Sequence, residues 1–257
     1  MKKIDIHQHY YGEAGLEKVL RVSAEQGIER ICMSNIEYEP FQQKFSKALK
    51  QYPQIIGFGY IQLGIDDADM VWKLYEEGYK GVKVIRPAKN YSDAEYMPIY
   101  ETAARLQMPV LFHTGTILID RAADKRYDTN VDRMRPLHLD YIARRIPELK
   151  IIGAHLGVPW YNEACSIAYR HENVYFDLSG AVNTLSGRSD TFFETLTYWE
   201  DAKEKLLFGT DSYAEDIEPV MQRFEGLMEQ FTIEQQEKFY YGNAQKILGL
   251  EEETACF

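Results

Sequence analysis

The 257-residue chain has little of what marks a secreted or membrane-bound protein. Its three cysteines, Cys32, Cys165 and Cys256, are widely spaced and form no Cys-x-x-Cys pair, which fits a reducing compartment better than a disulfide scaffold. No stretch approaches the roughly 18 apolar residues of a membrane span. The first residues lead straight into a strand instead of the long apolar core of a signal peptide. We therefore expect a cytoplasmic protein without a membrane partner.

Positive charge is also scarce, because 29 Lys and Arg residues face 40 Asp and Glu residues, for a net charge of −11. This balance argues against nucleic acid as a partner and leaves a small-molecule substrate open. The sequence contains no Gly-x-Gly-x-x-Gly fingerprint, which disfavours dinucleotide binding. It contains no Gly/Ser linker and no change in composition, so residues 1–257 are expected to form one domain. A homo-oligomer stays open, since no interface is marked.

What the sequence does contain is a regular alternation of strand and helix periodicity. Alternating β and α units imply a parallel sheet, and eight such units favour a closed (β/α)8 TIM barrel with an extra C-terminal helix over an open doubly wound sheet. Strands are predicted at residues 3–10, 28–34, 55–63, 80–85, 109–113, 150–155, 173–178 and 205–211. Helices are predicted at residues 13–26, 40–52, 67–77, 96–106, 136–149, 161–169, 189–203, 217–230 and 232–248, the last with Thr232 and Gln235 placed as a capping box.

Polar residues collect at the carboxyl ends of the predicted strands, where the active sites of such barrels lie. Strand 1 ends in His7 and His9, strand 5 in His113, strand 6 in His155 and strand 8 in Asp211. Two imidazoles on one strand face can bind the same divalent metal. Period-two alternation predicts that the following residues point inward: Asp5, His7 and His9 in strand 1, Leu111 and His113 in strand 5, Ile151, Gly153 and His155 in strand 6, and Leu207, Gly209 and Asp211 in strand 8.

With these strand ends the chain resembles the amidohydrolase superfamily, in particular its amidohydrolase-2 branch of metal-dependent TIM-barrel hydrolases. The motifs follow the family's order along essentially the whole chain: DIHQHY, GVKVIRP, PVLFHTG, IIGAHLG, VYFDLSG, LLFGTDSY and GNAQKILGL. That branch includes hydrolases, lactonases and non-oxidative decarboxylases of the aminocarboxymuconate-semialdehyde type. The resemblance implies an enzyme with one divalent metal ion, zinc first, with Mn²⁺, Fe²⁺ or Co²⁺ as alternatives.

The resemblance also assigns roles to the residues at the strand ends. It implies His7, His9, His113 and Asp211 as metal ligands, and it places His155 beside the water or the substrate. Our hypothesis is that Asp211 also takes the proton of a metal-activated water and later delivers it to the leaving group. His155 then hydrogen-bonds the nucleophile or stabilises charge on the carbonyl oxygen.

Three further residues are candidates for substrate binding. Arg86, just past strand 4, has the fork geometry to bind a substrate carboxylate, although it can also pair with an acid on a helix. Lys83, at an inward position of strand 4, either binds an anion or, as a carbamate, bridges a second metal as in some superfamily members. Tyr10 follows the two histidines and can line the pocket. The loop of residues 114–135, rich in Arg and Asp, is a candidate lid.

The ligand set does not by itself separate two reactions. We expect a metal-dependent hydrolase that acts on an ester, lactone or amide bond of a small, carboxylated molecule. The alternative is a metal-dependent non-oxidative decarboxylase, for which 257 residues is a short chain. A non-catalytic metal-binding barrel is a third interpretation, and it is disfavoured because a full ligand set and a candidate acid–base residue are both present.

Overall fold

The structure is a computed structural model that describes residues 1–35, 41–117, 130–185, 194–196 and 198–250. Eight parallel strands form one sheet in the order β1 to β8. The strands are β1 (Lys3–His9), β2 (Ile28–Ser34), β3 (Ile55–Ile61), β4 (Gly81–Val84), β5 (Val110–Phe112), β6 (Ile151–Gly153), β7 (Val174–Asp177) and β8 (Leu206–Leu207). The amide of Ile6 in β1 donates to the carbonyl of Phe208, just after β8, at 2.9 Å and so joins the first strand to the last. The predicted (β/α)8 barrel is confirmed.

Helices follow the strands along the chain, and most of them cover the outside of the barrel. They are α1 (Glu13–Glu25), α2 (Phe41–Gln51), α3 (Ala68–Glu76), α4 (Met97–Arg105), α5 (Leu137–Arg145), α6 (Tyr161–Arg170), α7 (Ala181–Leu185), α8 (Ile217–Met228), α9 (Ile233–Glu237) and α10 (Asn243–Leu248). The predicted capping box opens α9. The periodicity did not predict α7, and the helix predicted at 189–203 lies partly outside the described residues. No helix in the described ranges is both long and apolar enough to cross a membrane.

The strands separate two apolar layers, which explains why they consist of nearly continuous apolar runs. The outer core, between strands and helices, includes Val110 and Phe112. The inner core, inside the barrel, includes Leu111 and Leu207, as the alternation in strands 5 and 8 predicts. Full burial of each such side chain contributes about 1.5–3 kcal/mol to folding. The inner core also includes Ile247 of α10, so the C-terminal helix packs against the inside of the barrel.

In β1 the predicted alternation is wrong, because the strand contains a bulge. The register of β1 against β2 shifts between Asp5 and Gln8, as an extra residue in one strand requires. Ile4 and Ile6 belong to the inner core, and His7 points inward as well. Consecutive residues thus share the inner face, and the Asp5 side chain turns to Thr210 instead of lying beside the His7 ring.

In β6 the predicted alternation is wrong for a different reason. The inner core contains Ile152 and Ala154, whereas Ile151 lies in the outer core. The strand ends at Gly153, and His155 then has a left-handed φ of 61°. Positive φ is uncommon for residues other than glycine, and it turns the side chain away from the strand's alternation. His155 therefore reaches the site through a turn.

Candidate metal centre

Two sides of the barrel mouth supply the polar groups of the candidate site. We call the side carried by β1 and the segment that follows β8 the ligand side, and its members are His7, His9 and Asp211. We call the side that follows β6 and β7 the support side, and its members are His155, Asp177 and Ser179. The two sides meet at His7, which contacts residues of both.

On the ligand side, two imidazoles and one carboxylate lie close together. His9 Nε2 is 3.1 Å from Asp211 Oδ1, and one donor atom from each of His7, His9 and Asp211 lies within 4.8 Å of the others. His7 is fully buried, while the Asp211 side chain is 24% exposed. The group is therefore accessible from the side of Asp211.

Asp5 fixes the ligand side from outside the site. Its Oδ1 accepts hydrogen bonds from the amides of His7 and Thr210, both at 3.0 Å. Its Oδ2 accepts from the Thr210 hydroxyl at 2.5 Å. The amide of Asp211 then donates to the carbonyl of His7 at 2.8 Å. One buried carboxylate thus holds the bulge of β1 and the chain just before Asp211 in fixed register.

Gln8 makes a second connection between the same two segments. Its Nε2 donates to Thr210 Oγ1 at 3.0 Å and to the carbonyl of Ser212 at 2.9 Å. Its Oε1 accepts from the amide of His9 at 2.8 Å. Because Gln8 uses both ends of its amide, it positions His9 against the residues that flank Asp211.

Both histidines of the ligand side turn Nε2 toward the site. His7 Nδ1 lies 3.0 Å from Asp177 Oδ2, and its Nε2 lies 2.9 Å from Lys83 Nζ. Since a carboxylate only accepts, Nδ1–H donates to Asp177 and Nε2 keeps its lone pair. His9 Nδ1 lies 3.1 Å from the hydroxyl of Ser34. These outer contacts fix both ring orientations.

Asp177 organises the support side. Its Oδ1 accepts from the amide of His155 at 3.0 Å, and from the amide and hydroxyl of Ser179 at 2.9 and 2.5 Å. The carbonyl of Ser179 accepts from His155 Nδ1 at 2.8 Å. His155 Nε2 consequently faces His113 Nδ1 at 3.2 Å and Asp211 Oδ2 at 3.9 Å. One carboxylate therefore orients both His7 and His155.

The electrostatics of the site keep two of its imidazoles neutral and two of its carboxylates charged. Burial and the nearby Lys83 ammonium lower the pKa of His7 to about 4, and burial is also the main reason that the pKa of His113 lies well below its usual value. Burial alone would raise the pKa of Asp211, but the neighbouring histidines outweigh it and hold that pKa well below its usual value. The same balance lowers the pKa of Asp177 to about 2. Neutral imidazoles and ionised carboxylates are the forms that bind metals.

A family model described as amidohydrolase matches residues 48–250, which is more than half of the chain. The chain belongs to the amidohydrolase family. Members of this family are metal-dependent enzymes and include hydrolases and decarboxylases. No curated protein shows significant similarity to the sequence.

Solved structures share the fold of this amidohydrolase at low sequence identity. A probable 2-pyrone-4,6-dicarboxylic acid hydrolase from Acinetobacter baumannii, with citric acid bound, is 16% identical at a TM-score of 0.67, over 97% of this chain and 100% of that one. A 2,6-dihydroxybenzoate decarboxylase from Rhizobium is 16% identical at 0.69, over 97% and 99%. An amidohydrolase from Burkholderia multivorans with bound zinc is 12% identical at 0.70, over 98% and 100%. These likenesses show a common fold.

The donor set of the ligand side fits the divalent metal on which the family depends. Two donors that share one zinc ion at about 2.0–2.2 Å lie within ~4 Å of each other, and the 3.1 Å between His9 Nε2 and Asp211 Oδ1 meets this condition. His7 offers the third donor. The Lys83 ammonium contacts the same Nε2 lone pair of His7 that a metal would take. Metal binding therefore requires that Lys83 give up this contact.

His113, the fourth predicted ligand, has other contacts in the described structure. Its Nδ1 faces His155, and its Nε2 lies 3.3 Å from the carbonyl of Thr116. The hydroxyl of Tyr91 donates to the carbonyl of His113 at 2.9 Å. His113 thus lies next to the support side, and its role as a ligand stays a prediction.

The three predicted substrate-binding residues lie in different settings. Lys83 is fully buried inside the barrel against His7. The ring of Tyr10 packs in the outer core, 5.1 Å from the ring of Phe45. Arg86 follows β4 with a left-handed φ of 54° and is partly buried. The structure brings Lys83 to the ligand side, places Tyr10 among apolar side chains, and leaves all three substrate contacts as predictions.

Most of the candidate lid lies outside the described residues, which leave out 118–129 and with them Arg121, Lys125 and Arg126. Near its end, Arg135 pairs with Glu163 and lies over the ring of Trp160, 5.3 Å from the centroid. This arginine therefore has a structural partner.

The sequence analysis did not single out Asp177 or Ser179. The signal that identifies them is the same one that identified the histidines, since Asp177 is the last residue of β7 and Ser179 follows two residues later. The prediction considered strand-end residues as metal ligands, whereas Asp177 acts on the site by binding a histidine.

Proposed function

We propose that this amidohydrolase hydrolyses an ester, lactone or amide bond in a small, carboxylated molecule with the help of one divalent metal ion, zinc first. The observation that carries the proposal is the position of Asp211. Its carboxylate belongs to the donor group of the ligand side and also lines a pocket of about 320 Å³. A carboxylate that borders both is placed to move a proton between water and substrate.

A divalent cation in such a site supplies Lewis acidity, which polarises a carbonyl and lowers the pKa of water toward ~7. Asp211 accepts the proton of the attacking water, because its low pKa keeps it ionised at neutral pH. The water oxygen bonds to the carbonyl carbon, and the bond from that carbon to the leaving oxygen or nitrogen breaks. The proton on Asp211 then passes to the leaving atom, which balances the reaction.

His155 works from the opposite side of the reacting group. Its Nε2 and Asp211 Oδ2 are 3.9 Å apart, so one oxygen atom can lie within hydrogen-bond distance of both. Because the carbonyl of Ser179 fixes Nδ1, the ring presents Nε2 in a constant orientation. In this position the Nε2 lone pair accepts a hydrogen bond from the attacking water and orients it toward the substrate.

Non-oxidative decarboxylation is the second candidate, and the fold shared with 2,6-dihydroxybenzoate decarboxylase supports it. In that reaction the bond from the ring carbon to the carboxylate breaks, carbon dioxide leaves, and a proton takes its place on the carbon. The same acid–base group serves both reactions, because Asp211 can deliver a proton to carbon as well as to oxygen.

The test begins with metal content, measured by mass spectrometry of the purified protein before and after reconstitution with zinc. We expect one metal per chain and metal-dependent turnover. The loaded protein is then assayed on a panel of lactones and aryl esters, with carbon dioxide detection on aromatic carboxylic acids. Ester or lactone cleavage supports the hydrolase, and carbon dioxide release without such cleavage replaces it with the decarboxylase. Failure to bind a transition metal overturns both.

A further inference from the structure

The pocket beside Asp211 carries a polar group that the proposed reaction does not use. Tyr11, Asn183, Tyr213 and Arg223 line this pocket together with Asp211. Its volume, about 320 Å³, is at the lower end of the range for small-molecule pockets. A ligand that reaches Asp211 therefore also lies near Arg223.

Arg223, on α8, is exposed, and its guanidinium donates to Asn183 Oδ1 of α7. Within the described residues it pairs with no carboxylate, in contrast to Arg144, which forms two hydrogen bonds to Asp140 at 2.9 and 3.0 Å. A guanidinium has five N–H donors in a planar fork that matches a carboxylate. The contact with Asn183 uses a small part of this capacity and steadies the side chain at the pocket wall.

The rest of the lining also favours an anion at this place. The ring centroids of Tyr11 and Tyr213 lie 4.7 Å apart, and the two rings, tilted by 37°, give the pocket an aromatic wall. Burial, with Asp211 and Tyr213 nearby, raises the pKa of Tyr11, so its phenol stays a hydrogen-bond donor. The negative charge of Asp211 faces the histidines, and that of Asp216 lies on an exposed residue of the lining.

We propose that Arg223 and Asn183 form a subsite that binds a carboxylate of the substrate while the bond to be cleaved lies at Asp211. This inference rests on the proposed function, which places the reacting bond at Asp211. It adds the residues that recognise the carboxylate of the substrate. It makes Arg223 a specificity-determining residue, with the two tyrosines as the wall for a planar body between the carboxylate and the reacting bond.

The test measures binding, so that it stands apart from catalysis. Benzoate, isophthalate and the neutral benzamide are titrated calorimetrically into the zinc-loaded protein and into protein treated with a chelator. We expect the carboxylates to bind more tightly than benzamide in both preparations. In Arg223→Gln, the Kd of isophthalate should rise about tenfold or more, because a charge-assisted fork is lost, and Arg223→Lys should lose less. Benzamide binding should stay unchanged.

Arg144→Gln is the matched control, because it removes an exposed arginine that is paired with Asp140 on α5, and it should bind isophthalate as the wild type does. Thermal melting verifies that each variant is folded. The inference is overturned if the wild type binds neither carboxylate, if Arg223→Gln binds isophthalate with an unchanged Kd, or if both arginine variants lose the same affinity. Preference for benzylamine over benzoate would also overturn it. Carboxylate binding without turnover of any ester, lactone or acid would leave the subsite standing and remove the proposed function.

Discussion

The ligand side and the support side solve the same problem, the placement of an imidazole, with different backbone. On the ligand side, a bulge in β1 brings His7 inward within an otherwise regular strand. On the support side, His155 and Leu156 leave the strand with φ of 61° and 46°. Left-handed conformations cost about 1–2 kcal/mol per residue. The difference shows two ways to bring a side chain into the barrel mouth: His7 by a bulge within the sheet, and His155 by a left-handed turn that Asp177 holds. Asp211 of the ligand side uses the second way, with a φ of 43° after β8.

The largest effect is expected when the carboxylate of the ligand side, Asp211, loses its negative charge. Asp211→Asn keeps the shape of the side chain but loses its capacity to accept a proton. We expect turnover to fall about 10²- to 10⁴-fold, the usual contribution of a general acid–base group, as measured with the best substrate of the panel at equal metal content. Asp216→Asn, an exposed carboxylate in the lining of the same pocket, is the control and should keep most activity. Full turnover in Asp211→Asn would contradict the proton-transfer role.

The second prediction tests whether a residue of the support side, Asp177, affects metal binding by the ligand side. Asp177→Asn weakens the acceptor that orients His7 Nδ1 and lowers the basicity of its Nε2. We expect zinc affinity to fall about 10- to 100-fold, as for other carboxylates that hold a ligating histidine, measured by competition with a chromophoric chelator. Asp140→Asn is the matched control. Asp140 also binds a histidine, His171, but this pair joins α5 to the end of α6 in the outer layer of helices. Equal zinc affinity in wild type and Asp177→Asn would show that the two sides act independently.

The third prediction concerns pH. Burial lowers the pKa of Lys83 from its ordinary value of 10.5 to about 8, and the ammonium contacts the lone pair of His7 Nε2. Below pH 8 the protonated lysine opposes a cation, and above pH 8 the neutral amine does not. Zinc affinity should therefore rise about tenfold from pH 7 to pH 9, following the fraction of neutral lysine.

Two variants isolate the contribution of this lysine. Lys83→Met should flatten the rise in affinity between pH 7 and pH 9. Lys150→Met should leave the rise unchanged, because burial also lowers the pKa of Lys150 but this lysine lies just before β6 instead of at the strand ends. A rise that persists in Lys83→Met would assign the pH dependence to another group.

The smallest expected effect is a change in the free energy of unfolding, caused by a substitution in the turn that follows β6 on the support side. Gly157 has a φ of 63°, and a Cβ at this position would meet the ring of Pro136. We expect Gly157→Ala to lower the free energy of unfolding by about 1–2 kcal/mol, measured by urea denaturation. Gly226→Ala serves as the opposite case, because a Cβ there meets nothing within 4 Å and the residue lies in α8. That variant should be more stable by about 0.5–1 kcal/mol. A loss of stability in both would indicate a general intolerance of substitution and not a local strain.

The sequence predicts the ligand side better than the support side for a physical reason. Eight alternating units and the inward position of Leu111 follow from periodicity, because burial on two faces imposes a period of two. Asp211 is an exception on the ligand side, because the strand predicted at 205–211 ends at Leu207 and Asp211 has a left-handed φ of 43°. A bulge leaves no such mark, since one extra residue shifts the register without changing the residue types. The alternation therefore placed the Asp5 side chain on the inner face with the His7 ring, whereas it binds Thr210 and the backbone amide of His7.

The left-handed backbone at His155 was equally hidden from the sequence, because positive φ is common for glycine and uncommon for other residues, even for histidine, in which it is enriched. The residues around it nevertheless indicate a turn, since Gly153 and Gly157 flank the segment. His155 was identified from its position near the end of a strand. That prediction did not depend on which face of the strand the side chain occupies. The groups that orient His155 follow β7, whereas His155 itself follows β6. Contacts between two such segments leave no pattern in the local sequence.

The connection between Asp5 and Thr210 has a consequence for how the protein is made. These residues are separated by 205 positions, so the ligand side forms only when the last strand meets the first. Contacts between distant parts of a chain carry the largest cost of loop closure. During synthesis His7 and His9 leave the ribosome early, whereas Asp211 follows after most of the chain has been translated. We expect the site to be absent from every nascent chain that ends before β8, and its assembly to mark the completion of the barrel.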